Sequence, residues 1–366
     1  MTATGTDSRE SETGSPPLRP RRGRFARAAQ EGHAALLCLL LAGLLFASAA
    51  FVDLAAESGV GRGTITDTGP QAALAQGTLP AGPKRSRRIR HHIEDAETAC
   101  LPVASEAPVT RQQRQIAALI RDLRRSAQAL ELLRAAAGRN VIVCLDADTP
   151  LLAYYFSGLR LIGLRRGLNR AERLIYLSHE LAHVPQHPAF SDNRYFPPED
   201  LLLLRRVREA AAEATATRIA WQLDEAGVPE VWDAKRSGVY GDLATAFETV
   251  LDGQPGEAAE LRATRAAFDR WFAKSWRLDT YDRMTVDHLA RIAADELGLV
   301  PPRLRLSHGM LVGIGRQGER NFLTETGGRL LTDPFYRGTL SPENSRDLEA
   351  VIDPDQEVIL APNAWS

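Results

Sequence analysis

Residues 169–183 read NRAERLIYLSHELAH. The apolar run before the first histidine is typical of a buried helix, and Asn169 is its predicted N-cap. The segment ends in H-E-x-x-H, which places His179 and His183 four residues apart and therefore on one face of the helix. Both imidazoles can then bind one zinc ion, while Glu180, about 100° further around the helix, is placed to act as a general base. The segment predicts a site for metal-dependent hydrolysis.

A zinc site of this kind needs a third protein ligand. Residues 208–216 read REAAAEATA, and in a helix Glu209 and Glu213 would again lie four residues apart on one face. The alanines around them would let this helix approach the first one closely. His187 is a weaker candidate, because Pro185 is expected to end or kink the helix before it.

These two segments resemble the gluzincin class of zinc metallopeptidases, in which a downstream glutamate is the third ligand. They are also similar to an uncharacterised family of metallopeptidase domains in bacterial envelope proteins, where H-E-L-A-H precedes a helix of the E-A-x-A-E-A type. The resemblance covers residues 140–226 and implies a zincin-like fold, a Zn²⁺ cofactor and a peptide or protein substrate. In gluzincins an aspartate four residues after the ligand glutamate often orients a histidine. Here Glu213 stands at that place after Glu209, so either glutamate can be the ligand.

The expected reaction is peptide-bond hydrolysis by a metal-activated water, with Glu180 as the base. A tyrosine or histidine normally stabilises the oxyanion. Tyr240, Tyr281 and His288 are available, and nothing in their spacing selects one of them. The alternative hypothesis is a catalytically silent zincin-like envelope protein that acts as a binding or structural module.

Residues 34–52 contain no charged side chain over nineteen positions, which predicts a transmembrane helix or signal anchor. The positive-inside rule places the basic N-terminus, residues 1–33, in the cytoplasm and the main domain on the periplasmic or outer side of the cell membrane. Ala47 and Ala49 form an A-x-A pattern, so a cleaved signal peptide competes with this interpretation. We favour the anchor because the region before the apolar segment is long for a signal peptide.

The rest of the chain divides by composition. Residues 53–95 are predicted to be a flexible linker with a basic run at 84–90, residues 96–300 a zincin-like metallopeptidase domain, and residues 301–366 a C-terminal extension. The predicted fold class is α+β, mostly helical, with a small sheet. Strands are predicted at 140–145 and in a hairpin at 153–164, and helices at 109–138, 170–183, 201–226, 241–251, 257–276 and 285–297.

Composition excludes several classes of protein. The 366 residues include 45 basic and 46 acidic side chains, a formal net charge of -1, so nucleic acid is not an expected partner. With three cysteines the chain cannot build a four-cysteine zinc site. Cys100 and Cys144 could pair if the main domain lies in an oxidising compartment, a question that the sequence leaves open.

Overall fold

The computed structural model describes residues 83–186, 195–253, 256–294, 299, 301–324 and 327–352. These residues form a mostly helical structure with a four-stranded sheet and a second sheet of two very short strands. The predicted α+β class is therefore confirmed. Assignment to a zincin-like fold stays a prediction.

The larger sheet lies in the N-terminal part of the described chain. Its strands are β1 Cys100–Pro102, β2 Ile142–Asp146, β3 Ala153–Phe156 and β4 Leu161–Arg165. The strand order is β1-β2-β4-β3, with a parallel central pair and an antiparallel strand at each edge. The predicted strand and the predicted hairpin are thus confirmed. Gly163 in β4 leaves room for the ring of Tyr154 in β3, because a Cβ atom there would overlap that ring unless the ring moved.

A disulfide joins the first two strands. Cys100 and Cys144 face each other in the β1–β2 register and are covalently linked. Alternate residues of a strand point to opposite faces of a sheet. The disulfide accordingly lies in a small apolar cluster with Ile142 and Leu161, while Val143 and its neighbours on the other face belong to the main core.

The single long helix predicted over residues 109–138 is wrong. The structure contains two helices, α3 Arg111–Leu123 and α4 Ala127–Gly138. Ser126 separates them, because its hydroxyl accepts a hydrogen bond from the backbone N–H of Ala129 at 3.1 Å and donates one to Gln222 at 2.6 Å. An N-cap residue within a stretch of regularly spaced apolar residues starts a new helix. Because the apolar spacing continues across the break, the sequence pattern does not reveal it.

Two long helices, α5 Arg170–Gln186 and α6 Pro198–Glu225, pack against each other at the centre of the fold. The predicted cap of α5 is confirmed: Asn169 and Glu172 exchange side-chain to backbone hydrogen bonds at 2.8 and 3.0 Å, which is a reciprocal capping box. Pro185 lies in the last turn of α5, where the helix was expected to end. His187 falls outside the described residues.

Four further helices surround α6, namely α7 Pro229–Ser237, α8 Gly241–Leu251, α9 Glu257–Trp271 and α10 Ser275–Ala293. The bounds of α8 agree with the prediction, whereas α7 was not predicted. The predicted start of α10 at residue 285 is wrong by ten residues. Arg277 and Asp282 are fully buried in its first half, and buried charges hide the apolar period by which a helix is recognised.

Residues beyond the predicted boundary at 300 contribute to the same core as the helices before it. Leu311, Leu323 and Leu348 are buried in the main hydrophobic cluster. The elements here are α11 His308–Ile314, β5 Arg316–Gln317, β6 Arg320–Asn321, α12 Gly327–Thr332, α13 Pro334–Arg337 and α14 Pro342–Val351.

The described chain begins with α1 Pro83–His92 and the one-turn helix α2 Ala96–Ala99. Helix α1 falls within residues 53–95, the segment predicted to be a flexible linker. The guanidinium of Arg85 donates to the carbonyl oxygens of Leu159 and Asn140, and Ile89 is buried in the disulfide cluster. No helix among the described residues combines the length and apolarity needed to cross a bilayer. The apolar segment at 34–52 lies outside those residues.

Candidate metal centre

Helix α5 buries three ionisable side chains beside its apolar face. Leu177 and Leu181 are fully buried, as the periodicity requires, yet His179, Glu180 and His183 are also at most 8% exposed. Burying ionisable groups in such a helix is costly unless they have partners. For the two histidines, carboxylate partners come from α6.

Helix α6 carries small buried residues around its two glutamates. Ala210, Ala212 and Ala214 are fully buried, so the two helices can approach closely. This proximity brings Glu209 and Glu213 up to the histidines, as the spacing of the two motifs predicts.

Three side-chain atoms converge between the helices. The Nε2 atoms of His179 and His183 are 3.0 Å apart, and Glu209 Oε2 lies 3.4 Å from the first and 3.6 Å from the second. Ligand atoms placed tetrahedrally at about 2.0–2.1 Å from a zinc ion lie about 3.3–3.4 Å from one another. The spacing and the two-imidazole, one-carboxylate donor set therefore fit a tetrahedral zinc ion with one position open.

The outer nitrogen of each histidine faces a second polar group. His183 Nδ1 donates to Gln186 Oε1 at 2.9 Å, because an amide oxygen can only accept. His179 Nδ1 lies 3.1 Å from Glu213 Oε1. The hydrogen bond to Gln186 holds the ring of His183 with its Nε2 atom directed towards the centre, and Glu213 lies beside the outer nitrogen of His179, as carboxylates often do at metal-binding histidines.

The charges of the site favour a protonated histidine beside ionised glutamates when no metal is bound. Burial alone would lower the pKa of His179, but Glu213 and Glu209 outweigh it and raise that pKa well above its ordinary value. Burial alone would raise the pKa of Glu209, but His183 and His179 bring it well below its ordinary value. The pKa of Glu213 falls to about 2, because Lys235 and His179 outweigh its burial.

Glu180 is not one of the three converging residues. Its carboxylate is buried, and burial raises its pKa above the ordinary value, although the neighbouring histidines lower it in part. A carboxylate with a raised pKa is a stronger base than an exposed one.

Among the aromatic candidates, Tyr240 precedes α8, while Tyr281 and His288 belong to α10. Burial, together with the charges of Glu213 and Glu209, raises the pKa of both Tyr240 and Tyr281. His288 is different: burial, and after it the cations Arg205 and Arg291, lower its pKa to about 4.

The sequence did not predict two of the polar groups that support the centre. Gln186 follows Pro185, where the helix was expected to end, and Lys235 belongs to α7, which was not predicted. A lysine at residue 235 carries no sequence signal for a site, because lysines are mostly on the surface. Arg205, one turn before Glu209 on α6, has its Nε atom 3.9 Å from Glu209 Oε1.

Comparison with known proteins identifies the family of the chain. No curated protein and no solved structure matches the chain. Residues 93–319, more than half of the chain, match the family described as "Putative metallopeptidase family (DUF6782)". This match extends from the end of α1 to the β5–β6 turn and contains all the residues of the centre, and the chain belongs to that family.

Proposed function

We propose that this protein is a zinc-dependent peptidase, with His179, His183 and Glu209 as metal ligands and Glu180 as the general base. Membership of a metallopeptidase family supports the reaction class. The observation that carries the proposal is the convergence of two imidazole nitrogens and one carboxylate oxygen at separations of 3.0, 3.4 and 3.6 Å.

The same geometry favours Glu209 over Glu213 as the third ligand. Glu209 Oε2 faces the Nε2 atoms of both histidines, on the side where they face each other. Glu213 faces the opposite nitrogen of His179 and uses its other oxygen to accept from Lys235. Glu213 is therefore assigned to orient His179.

Zinc, when bound, acts as a Lewis acid that polarises a peptide carbonyl and makes a water molecule a better proton donor. Glu180 accepts that proton at its carboxylate, which its buried position makes more basic, and donates it to the departing amine. His179 and His183 keep their Nε2 atoms directed inward through the contacts of their outer nitrogens. A peptide or protein is the substrate.

The proposed location is the cell membrane, with residues 34–52 as a single-pass anchor and the described domain on the periplasmic or outer side. The arginines before the apolar segment support this orientation. The Cys100–Cys144 disulfide also supports it, because disulfides persist mainly in oxidising compartments. Reporter fusions after residue 52 test the topology, and activity of a cytoplasm-specific reporter there would overturn it.

The metal content of the purified 366-residue chain is the first test. We expect about one zinc per chain, and none after His183→Ala, because one ligand of three is lost. His308→Ala is the matched control, since His308 is an exposed histidine of α11. Absence of zinc from the wild-type chain after incubation with Zn²⁺ would overturn the proposal.

The second test separates an active peptidase from a silent metal-binding module. Glu180→Gln keeps the shape of the side chain but removes the base, so hydrolysis of unfolded protein substrates should fall by about 10²–10⁴-fold while zinc stays bound. Glu131→Gln, the same change at an exposed position of α4, should leave hydrolysis unchanged. A zinc-loaded wild-type chain that cleaves no substrate in a broad peptide library would favour the binding module.

A further inference from the structure

Lys235 is the buried charge of this region that the proposed reaction does not use. It lies on α7 with 3% of its surface exposed. An isolated ammonium group is very costly to bury, so Lys235 must gain from the partner that it contacts. That partner is Glu213: Lys235 Nζ donates to Glu213 Oε2 at 2.6 Å.

Glu213 connects this lysine to the metal centre. Its second oxygen, Oε1, lies 3.1 Å from His179 Nδ1, so its two oxygens face two different partners. Three helices thus contribute one residue each: Lys235 from α7, Glu213 from α6 and His179 from α5. The ring of Tyr240, whose centroid is 5.4 Å from Nζ, covers the lysine on another side.

The Lys235–Glu213 contact fixes the direction in which the second carboxylate oxygen of Glu213 points. A carboxylate that is not held by a cation can rotate about its Cγ–Cδ bond. When a fixed cation binds Oε2, the position of Oε1 is fixed as well. Oε1 lies beside Nδ1 of His179, and a carboxylate in that place can orient the ring and so direct its Nε2 atom. The same contact keeps Glu213 away from the three converging atoms.

We propose that Lys235 is a positioning residue of the metal centre: it holds Glu213 so that Glu213 orients His179 for metal binding. The inference rests on the proposed function, because it assigns a role relative to a bound metal. Lys235 touches neither metal nor substrate, so its effect passes entirely through Glu213.

Zinc affinity in a double-mutant cycle tests this route. The variants are Lys235→Met, Glu213→Leu and the two combined, each in the 366-residue chain, with Kd for Zn²⁺ measured by competition with a chelator. We expect each single change to weaken zinc binding by about 10–100-fold, the usual effect of losing a group that orients a ligand. The double variant should bind zinc no more weakly than Glu213→Leu, because Lys235 has no other route to the metal.

Lys274→Met is the matched control, since it makes the same change at an exposed lysine and should leave the Kd unchanged. Lys235→Met leaves a buried carboxylate unpaired and can therefore impair folding. In that case Lys235→Gln replaces it, because the shorter amide keeps a donor but withdraws it from Glu213. The expected results are the same in direction.

A second measurement detects the orientation itself. In the zinc-loaded wild type the proton on His179 Nδ1 should give a downfield NMR resonance, which a general loss of packing would not move selectively. It should shift upfield or vanish in the Lys235 variant, while the corresponding resonance of His183, held by Gln186, stays in place.

The outcomes are distinguishable. Equal zinc affinity and an unchanged His179 resonance in the wild type and a folded Lys235 variant would overturn this inference and leave the proposed function intact. A double variant weaker than Glu213→Leu by the full effect of the lysine change would also overturn it, because Lys235 would then act independently of Glu213. No zinc in the wild type would overturn the proposed function, and the inference with it.

Discussion

Arg206 and Asp282 form a buried ion pair that joins α6 to α10, and removing one partner should destabilise the protein strongly. Two hydrogen bonds of 2.7 and 2.5 Å link the guanidinium to the carboxylate, and the side chains are 1% and 0% exposed. Arg206→Met would leave Asp282 buried without a cation, at a cost of about 3–5 kcal/mol. Burial already raises the pKa of Asp282 despite the arginine beside it, so the pair does not recover its full desolvation cost. The combined change Arg206→Met and Asp282→Leu should therefore cost much less, within about 1 kcal/mol of the wild type.

Urea unfolding followed by far-UV circular dichroism at neutral pH measures these differences, with zinc removed by a chelator so that binding does not contribute. Arg283→Met on α10, the helix that carries Asp282, is the matched control, because Arg283 pairs with Glu343 at the surface, where each side chain is about half exposed. Its cost should stay below about 1 kcal/mol. A loss below about 1 kcal/mol for Arg206→Met, or a double variant as unstable as the single one, would refute this reasoning.

Three other predictions concern the metal centre and pH. Glu209→Gln should abolish stoichiometric zinc binding in elemental analysis, whereas retention of one zinc per chain would argue that Glu209 is not a ligand. Zinc must displace the proton that the raised pKa of His179 retains, so chelator competition should show zinc affinity rising with pH above the ordinary pKa of a histidine; a flat profile would contradict this. His288 has a folded-state pKa of about 4 against 6.5 unfolded, so the unfolded chain binds the extra proton and stability is lost as pH falls through that interval. For this partly exposed group we expect the loss of stability to be about 1–2 kcal/mol. Urea unfolding of the metal-free protein should therefore depend less on pH in His288→Gln than in the wild type. Parallel pH curves for the two proteins would refute the lowered pKa of His288.

The histidine pair could be predicted because its geometry is local. A spacing of four residues fixes a shared helix face whatever surrounds it, and the alanines of α6 similarly indicate close approach. The choice between Glu209 and Glu213 could not be predicted in this way, since both lie on the same face of α6. It depends on the register of α6 against α5 and on Lys235, which reaches the site from a helix 22 residues further along the chain.

Helix boundaries were predicted poorly where a polar side chain is buried. Ser126 starts a new helix inside an unbroken apolar period, because its hydroxyl finds partners in both α4 and α6. Arg277 occupies a core position of α10 that an apolar pattern would assign to leucine. Its buried guanidinium donates to Asp242, a partner on another helix that cannot be read from one segment of sequence.

The Cys100–Cys144 disulfide makes the choice of buffer an experimental variable. The bond closes a loop with a sequence separation of 44, and such a cross-link limits the freedom of the unfolded chain by about 4 kcal/mol in a chain-entropy estimate. Thiol reagents would open this loop, and they would also compete for the metal at the proposed zinc site. A loss of activity in a thiol buffer would therefore have two causes, the opened disulfide of the sheet and the removal of metal from the proposed site. Adding zinc back without reoxidation would restore only the part due to the metal.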